Sequence, residues 1–198
     1  MNTYRTLNGL TEGLYKEKGS KFIAYAVPCY SEEEAKEYLN AWRKEHHQAR
    51  HVCYAYRFGS DKKVFRTNDD GEPNNSAGVP ILGQIQSVDL TNVLVGVVRY
   101  FGGTLLGVPG LINAYKTVTS LALQTTPIIQ KQIEVNYQLH FDYTRMNDVM
   151  MIVKQYNCTV VKQETNLFCD VEISIPKNRL EEVLFKLGEM HTVEVRKL

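Results

Sequence analysis

Two glycine-rich segments constrain the fold of this chain most, because each must follow a tight backbone path into an expected helix start. The first spans 66–82 (RTNDDGEPNNSAGVPIL) and the second spans 97–115 (VVRYFGGTLLGVPGLINAY). A helix start next to glycines exposes unpaired N–H groups at the positive end of the helix dipole, where a phosphate or carboxylate binds. Two such starts predict one anion-binding surface. The structural alternative is that the glycines only make turns and allow close packing.

The composition is that of a folded protein whose positive and negative charges nearly cancel. Of 198 residues, 43% are hydrophobic and 23% are charged, and the formal net charge is +1. These fractions are near the globular average and exclude a long disordered or fibrous chain. A nucleic-acid contact would therefore depend on a local basic patch. The length allows one large or two small domains.

Targeting signals and cysteine spacing indicate the compartment. The start of the sequence has no cationic segment followed by an apolar run, and no stretch reaches the roughly 18 apolar residues of a membrane span. The cysteines lack the C-x-x-C spacing of a zinc site and are not arranged as a disulfide framework; they are Cys29, Cys53, Cys158 and Cys169. We expect a cytoplasmic protein with reduced thiols, no membrane contact, no cofactor and no metal. The sequence leaves the oligomeric state open.

Residues 1–130 predict a first domain of mixed strands and helices. The valine-rich run over 92–100 predicts a buried central strand. A Ser31/Glu34 capping box predicts a helix that ends near His46 or His47. The other expected elements are a hairpin over 10–27, strands at 51–58 and 62–66, and helices beginning around Pro80 and Pro109.

Residues 131–198 predict a second domain, because the pattern of apolar residues changes there. Alternating apolar residues over 133–141 indicate a half-buried strand, and Thr144 is the expected cap of a helix that runs to about Tyr156. Further strands are expected at 159–164, 167–175 and 192–197, with a helix at 176–188. This βαββαβ order is ferredoxin-like and leaves one sheet face free. The fold class is therefore α+β, with two domains.

The second glycine-rich segment does not match the known nucleotide-binding loops. Gly102 and Gly107 have P-loop spacing, but Val108 and Pro109 stand where Lys and Ser or Thr are required. The glycines also do not form G-x-G-x-x-G, which disfavours a dinucleotide site. A backbone anion site assisted by Arg99 at the strand end remains.

The acidic run of the first segment allows two interpretations. Asp69, Asp70 and Glu72 offer three carboxylates within four residues, enough to hold a hard divalent cation if the loop folds back. Alternatively, the aspartates form turns around Gly71 and Glu72 pairs with Arg66 or Arg99. We favour turns.

Histidines and aromatic residues supply two further candidates. His46, His47 and His51 precede a strand that contains Cys53, but the change of rhythm between them disfavours a shared face and favours helix-end or surface roles. Aromatic side chains with nearby arginines could stack on bases, although alternation places about half of the rings in the core. This set comprises Tyr54, Tyr56, Phe58, Tyr100 and Phe101 with Arg50, Arg57, Arg66 and Arg99.

At these residues the chain resembles the IMPACT/YigZ family. The shared motifs are R-x-x-D-D-G-E-P from Arg66, A-G-x-P-I-L from Ala77 and R-Y-F-G-G from Arg99. Shorter matches are S-K-F-I-A at 20–24, S-E-E-E-A at 31–35 and H-x-C-Y-A-Y-R at 51–57. The tail resembles the small second domain of the bacterial branch, so the resemblance covers nearly the whole chain.

The resemblance implies both folds and a functional area. It implies an N-terminal α/β-sandwich similar to the second domain of ribosomal protein S-five, and a C-terminal domain similar to a ferredoxin-like domain of elongation factor G. Both similarities indicate translation, and the family implies no established reaction. Three residues depart from the pattern: Leu105 replaces a frequent Lys, Asn113 a frequent Arg and Pro109 the usual Gly. Two fewer cations lower the expected phosphate affinity.

We therefore expect a translation-linked binding protein that contacts RNA or a ribosome-associated partner through the glycine-rich face. The alternatives are a metal-assisted hydrolase that uses the D-D-G-E-P loop and a protein-interaction module that uses the free C-terminal sheet. The candidate ligand-binding residues are Arg66, Asp69, Asp70, Gly71, Glu72, Ala77, Gly78, Arg99, Tyr100, Phe101, Gly102, Gly103, Gly107 and Gly110.

Overall fold

The structure, a computed structural model that describes residues 2–198, is an α+β protein with two compact units. The N-terminal unit is Tyr4–Lys131, and the C-terminal unit is Gln132–Leu198 together with Asn2 and Thr3. The assignment of 1–130 and 131–198 as separate domains stays a prediction. Among the described helices, none is long and apolar enough to cross a membrane.

The N-terminal unit is built on a five-stranded antiparallel sheet. Its elements are β2 (Thr11–Glu17), β3 (Ser20–Pro28), α1 (Glu32–Glu45), β4 (His51–Phe58), β5 (Val64–Asn68), α2 (Gly78–Ser87), β6 (Val93–Tyr100) and α3 (Gly107–Gln124). The strand order in the sheet is β2-β3-β6-β4-β5. The predicted central strand is β6. A two-stranded sheet of β1 (Thr3–Leu7) and β7 (Ile128–Gln132) was not predicted.

Both faces of the five-stranded sheet are covered, which explains the nearly continuous apolar run of β6. On one face, Val95 and Val97 belong to a core with Tyr115 of α3. On the other face, Leu94 and Val98 pack in a core with Trp42 of α1. Every β6 residue from Val93 to Arg99 is buried.

Helix α1 has the predicted N-cap at Ser31 and the predicted end. Ser31 Oγ accepts a hydrogen bond of 3.2 Å from the Glu34 backbone N–H, and the helix ends at Glu45 with His46 as its C-cap. The His46 ring bridges two phenols of the sheet, with Nε2 2.7 Å from Tyr25 Oη and Nδ1 2.8 Å from Tyr100 Oη. His46 therefore fastens the end of α1 to the sheet, which is the helix-end role that the sequence favoured.

The C-terminal unit has the expected ferredoxin-like order. It contains β8 (Glu134–Asp142), α4 (Met146–Gln155), β9 (Thr159–Thr165), β10 (Phe168–Pro176), α5 (Leu180–Gly188) and β11 (Val193–Lys197). The strands form an antiparallel sheet of order β11-β8-β10-β9. Buried Val149 of α4 and Val183 of α5 share one core with Leu139 and Val171 of the sheet.

The start of the first helix of this unit differs from the prediction. Thr144 is not the cap, because Asp142 accepts hydrogen bonds from the Thr144 backbone N–H at 2.9 Å and from its hydroxyl at 2.7 Å. A 3₁₀ turn over Tyr143–Arg145 follows, and α4 begins at Met146. A carboxylate two residues upstream competes well for this N–H, so the aspartate takes the capping role.

A cavity on the sheet of the C-terminal unit carries more acidic than basic side chains. Its volume is about 350 Å³, and it is lined by Gln138, Lys162, Glu164, Asp170, Glu172 and Leu198. Three carboxylates against one ammonium in this lining disfavour contact with a phosphate backbone. An RNA contact therefore finds no support on this cavity.

The glycine in the central strand is required by packing, and this generates a stability prediction. A Cβ on Gly96 would lie 2.4 Å from Trp42 Cζ3, whereas a Cβ on Gly83 of α2 would meet nothing within 4 Å. We expect Gly96→Ala to lower the free energy of unfolding by about 1–3 kcal/mol through overpacking. The matched Gly83→Ala change should raise it by about 0.5–1 kcal/mol, because alanine favours the helix. Urea unfolding followed by the fluorescence of Trp42, the single tryptophan, checks both. Equal effects of the two changes would contradict the packing argument.

Candidate functional site

The loop after β6 lies directly against the turn between β2 and β3. A Cβ on Gly102 would come within 1.9 Å of the carbonyl carbon of Gly19, so the two backbones touch. Gly103 and Gly107 have φ values of +86° and +72°, in the left-handed region that favours glycine. The structural role of these glycines is thus established by geometry. The loop also exposes apolar side chains, since Phe101 is 43% and Leu105 82% exposed.

The start of α3 is open. Its N-cap is Leu106, whose side chain makes no capping hydrogen bond, and the first turn contains no acidic residue. Gly107, Val108 and Pro109 are exposed. Pro109 has no N–H, so the donors at this start are the backbone N–H groups of Gly107 and Val108, and together with the helix dipole they favour an anion.

The start of α2 is already occupied by the chain's own carboxylate. Asp69 Oδ1 accepts hydrogen bonds from the backbone N–H groups of Ala77 at 3.1 Å and Gly78 at 2.8 Å, and Oδ2 accepts one from Asn75 at 2.8 Å. Two anion-binding helix starts were expected, and this one is closed. The reason is that the 69–78 loop folds back on itself, which places Asp69 where a ligand would bind. Gly78 is needed there because a Cβ would lie 2.7 Å from the Asn68 backbone nitrogen.

Asp70 also bonds to the protein itself. Its backbone has a φ of +43°, and Asn68 Oδ1 accepts its N–H at 2.7 Å. Its Oδ2 accepts hydrogen bonds from the Val52 backbone N–H at 2.7 Å and from Arg43 Nη2 at 2.9 Å. The favoured turn interpretation therefore describes Asp70, and its carboxylate ties the first glycine-rich segment to β4 and α1.

Glu72 and Arg99 form a buried ion pair at the centre of the site. Arg99 Nη1 donates to Glu72 Oε1 at 2.6 Å, and the two side chains are 6% and 3% exposed. Tyr115 Oη donates to the same oxygen at 2.9 Å. Arg99 Nη2 also lies 3.4 Å from Ser20 Oγ, which accepts the Gly102 backbone N–H at 3.2 Å. Of the two arginines expected to pair with Glu72, the partner is Arg99.

The same network explains why Cys53 is unsuited to nucleophilic catalysis. The Cys53 thiol donates a hydrogen bond to Tyr115 Oη, with Sγ and Oη 3.3 Å apart. Burial raises the pKa of the Cys53 thiol and, likewise, the pKa of the Tyr115 phenol. Both groups therefore stay protonated at neutral pH, whereas a nucleophilic cysteine needs the thiolate.

The three carboxylates of the D-D-G-E-P loop diverge instead of converging on an ion. Asp69 bonds the start of α2, Asp70 bonds β4, and Glu72 pairs with Arg99. Across residues 2–198, no group of three or more His, Cys, Asp or Glu side chains could hold a metal. Hydrogen bonds within the fold thus use at least one oxygen of each carboxylate that the hydrolase alternative assigned to a cation.

A cleft of about 210 Å³ lies between the two glycine-rich segments. It is lined by Arg50, His51, Gly71, Glu72, Arg99, Phe101 and Leu105. His51 Nδ1 is 2.8 Å from the Asp70 carbonyl oxygen. Because a carbonyl only accepts, Nδ1 carries the hydrogen, and Nε2 of the neutral ring is an acceptor. That Nε2 lies 4.0 Å from Glu72 Oε1.

The structure brings only some of the candidate residues to this cleft. Gly71, Glu72, Arg99 and Phe101 line it. Gly102, Gly103, Gly107 and Gly110 belong to the adjoining loop and the first turns of α3. Asp69, Ala77 and Gly78 lie at the closed start of α2.

Two candidate residues lie elsewhere. Arg66 is exposed on strand β5, where Tyr54 and Tyr56 are its interaction partners. The Tyr100 phenol bonds His46 on the α1 side of the sheet. Alternation along β5 and β6 was the signal that could have separated these two side chains from the cleft.

Sequence reasoning did not assign Arg50, His51 and Leu105 to one site. Arg50 was placed only in the aromatic and basic set, and His51 only among the histidines. The register could have shown the link, because His51 is paired with Arg99 across β4 and β6.

The N-terminal unit matches a known family. Residues 18–123 match the Impact N-terminal domain, a range that includes both glycine-rich segments. The chain belongs to the IMPACT family. It is 30% identical to IMPACT family member YigZ of Escherichia coli over 174 residues, which is 87% of this chain and 85% of that protein. It is 29% identical to IMPACT family member YvyE of Bacillus subtilis, with 92% of each chain covered.

A solved structure shares the fold over the whole chain. The crystal structure of a hypothetical protein superposes with a TM-score of 0.79 at 26% identity and covers 100% of this chain and 98% of the other. The two-unit architecture is thus found in this IMPACT family member and in a solved protein of matching extent.

Breaking the buried ion pair generates a second prediction. Glu72→Gln leaves Arg99 charged and buried without its counter-ion, so we expect the free energy of unfolding to fall by about 3–5 kcal/mol. The matched control is Lys63→Met, which removes an exposed pair with Asp61 of 3.9 Å, and should change stability by less than about 1 kcal/mol. Urea unfolding monitored by Trp42 fluorescence measures both. A Glu72→Gln protein as stable as the control would contradict the central role of the pair.

Proposed function

We propose that this chain is a cytoplasmic, translation-linked regulator that binds RNA through one surface of its N-terminal unit. This surface, the loop surface, consists of Lys18, Arg50, Phe101, Leu105 and the start of α3 at Gly107. The observation that carries the proposal is the open start of α3 beside a cleft with an exposed arginine and an exposed aromatic ring. The link to translation follows from membership of the IMPACT family.

The charges of the loop surface suit a single-stranded phosphate backbone. Lys18 is exposed in the turn before Gly19, which touches Gly102. Arg50 is exposed at the rim of the cleft. Two cations and a helix start give a modest electrostatic term, because each phosphate contact contributes about −0.7 to the slope of log K against log salt for single strands. We therefore expect a slope of about −1.4.

The exposed ring of Phe101 supplies the second element of RNA binding. Unpaired RNA exposes base faces that stack on aromatic side chains, and this contact does not depend on charge. Leu105, which replaces a frequent family Lys, extends the apolar area beside the ring. The loop surface thus favours stacking over a dense phosphate contact, which distinguishes it from a duplex-binding surface.

Charge reversal at Arg50 tests the proposal. Arg50→Glu should weaken binding of a fluorescein-labelled oligouridine decamer and reduce the magnitude of the salt slope by about 0.7 or more. Fluorescence anisotropy across a potassium chloride series measures both quantities. The matched control is Arg66→Glu, an exposed arginine outside the cleft, which should leave affinity and slope unchanged.

Stability and partner controls complete this experiment. Both variants should unfold at the same urea concentration as the parent, because both side chains are exposed. RNA affinity that changes neither with the salt concentration nor in Arg50→Glu would contradict the proposal. Sedimentation with ribosomes without any binding of free RNA would also contradict it, and would identify a ribosome-associated protein as the partner instead.

A further inference from the structure

We infer that the cleft between the two glycine-rich segments is a pocket for a guanine base. The inference rests on the proposed function, since the loop surface is what would deliver an RNA strand to the cleft. A free guanine nucleotide carries the same base, and the experiment below separates the two sources. Residues that line the cleft carry hydrogen-bonding groups that the fold leaves unused.

Two acceptors on residues that line the cleft have no donor among the described residues. Both hydrogen bonds to the Glu72 carboxylate fall on Oε1. Oε2 receives none from the described residues, and it is not among their fully buried atoms that lack a partner, so it keeps some of the small exposure of this side chain, which is 3% exposed. The second acceptor is His51 Nε2, because Nδ1 donates to the Asp70 carbonyl.

One buried donor of a residue that lines the cleft is also unused. Arg99 is 5% exposed and lines the cleft. Its Nε is one of two buried side-chain polar atoms without a hydrogen-bond partner in residues 2–198, the other being Thr119 Oγ1. Buried polar groups in folded proteins almost always have partners, so a donor left over at a cleft indicates a missing acceptor.

Among the four RNA bases, guanine complements this set of groups. Its Watson–Crick edge has two adjacent donors, N1–H and the N2 amino group, next to the acceptor O6. Uracil has one donor between two acceptors, while adenine and cytosine each have one amino group beside ring or carbonyl acceptors. A carboxylate oxygen and an imidazole acceptor beside each other therefore select guanine.

The walls of the cleft suit a flat ring and a phosphate. Phe101 is 43% exposed, and the Arg99 guanidinium carbon lies 5.6 Å from its ring centre. Leu105 lines the same cleft and is 82% exposed. A base between these side chains would place its phosphate toward Arg50 at the rim. Stacking on Phe101 supplies affinity and holds the base so that its edge reaches the acceptors, which supply the selectivity.

The test uses labelled oligouridine decamers with one central guanosine, adenosine or cytidine, and the full chain. We expect the guanosine decamer to bind about tenfold more tightly than the all-uridine decamer, the size of one good bidentate base contact. The adenosine and cytidine decamers should bind like the all-uridine one. Guanosine monophosphate, as competitor, should displace the guanosine decamer only at far higher concentration if the strand is the ligand.

Matched variants locate the effect. Phe101→Ala should abolish the guanosine preference, whereas Phe65→Ala, which removes an exposed phenylalanine outside the cleft, should retain it. Equal affinity for all decamers, with binding still lost in Arg50→Glu, would overturn the guanine pocket and leave the proposed function standing. Failure of every decamer to bind would overturn both. Displacement by guanosine monophosphate at equal concentration would assign the pocket to a free nucleotide and overturn its role for RNA.

Discussion

The buried ion pair between Glu72 and Arg99 connects the parts of the N-terminal unit that form the cleft. Glu72 comes from the first glycine-rich segment, and Arg99, the last buried residue of the central strand, belongs to the second. A buried pair recovers its desolvation cost only when further hydrogen bonds satisfy both ions. Tyr115 of α3 and Ser20 of β3 supply them. One pair thus places an acidic loop, a helix and two strands around the same point.

The two glycine-rich segments are both rich in small residues, but the helix start is closed in the first and open in the second. In the first, Asp69 accepts three backbone N–H groups and closes the start of α2. In the second, no acidic side chain follows the glycines, and the start of α3 stays open. The Asp69 carboxylate belongs to the chain and therefore occupies the start of α2, whereas the start of α3 can accept an anion from a ligand. The first segment therefore acts as support, and the second acts as the contact surface.

Helices and strands could be predicted from the sequence where the pattern involves neighbouring residues. The candidate site could be predicted only in part. The valine run of β6, the capping box of Ser31 and the βαββαβ order each depend on neighbouring residues. The position of Asp69 at the start of α2 depends on a loop that returns over nine residues to Gly78. The juxtaposition of His51 with Arg99 depends on strand register. Periodicity says which face a side chain occupies, but not which distant group it meets.

Different parts of the N-terminal unit would supply the affinity and the selectivity of RNA binding. Asp69 and Asp70 hold the loop that carries Glu72, and the Glu72 carboxylate keeps one oxygen for the protein and one for the cleft. A phosphate bound at α3 or Arg50 gains energy from charge and carries no sequence information. A base edge in the cleft meets fixed acceptors whose positions are set by the buried pair. The stability of that pair is therefore the condition for any selectivity of the cleft, because a displaced Glu72 would leave phosphate contacts intact and remove the acceptor that reads the base.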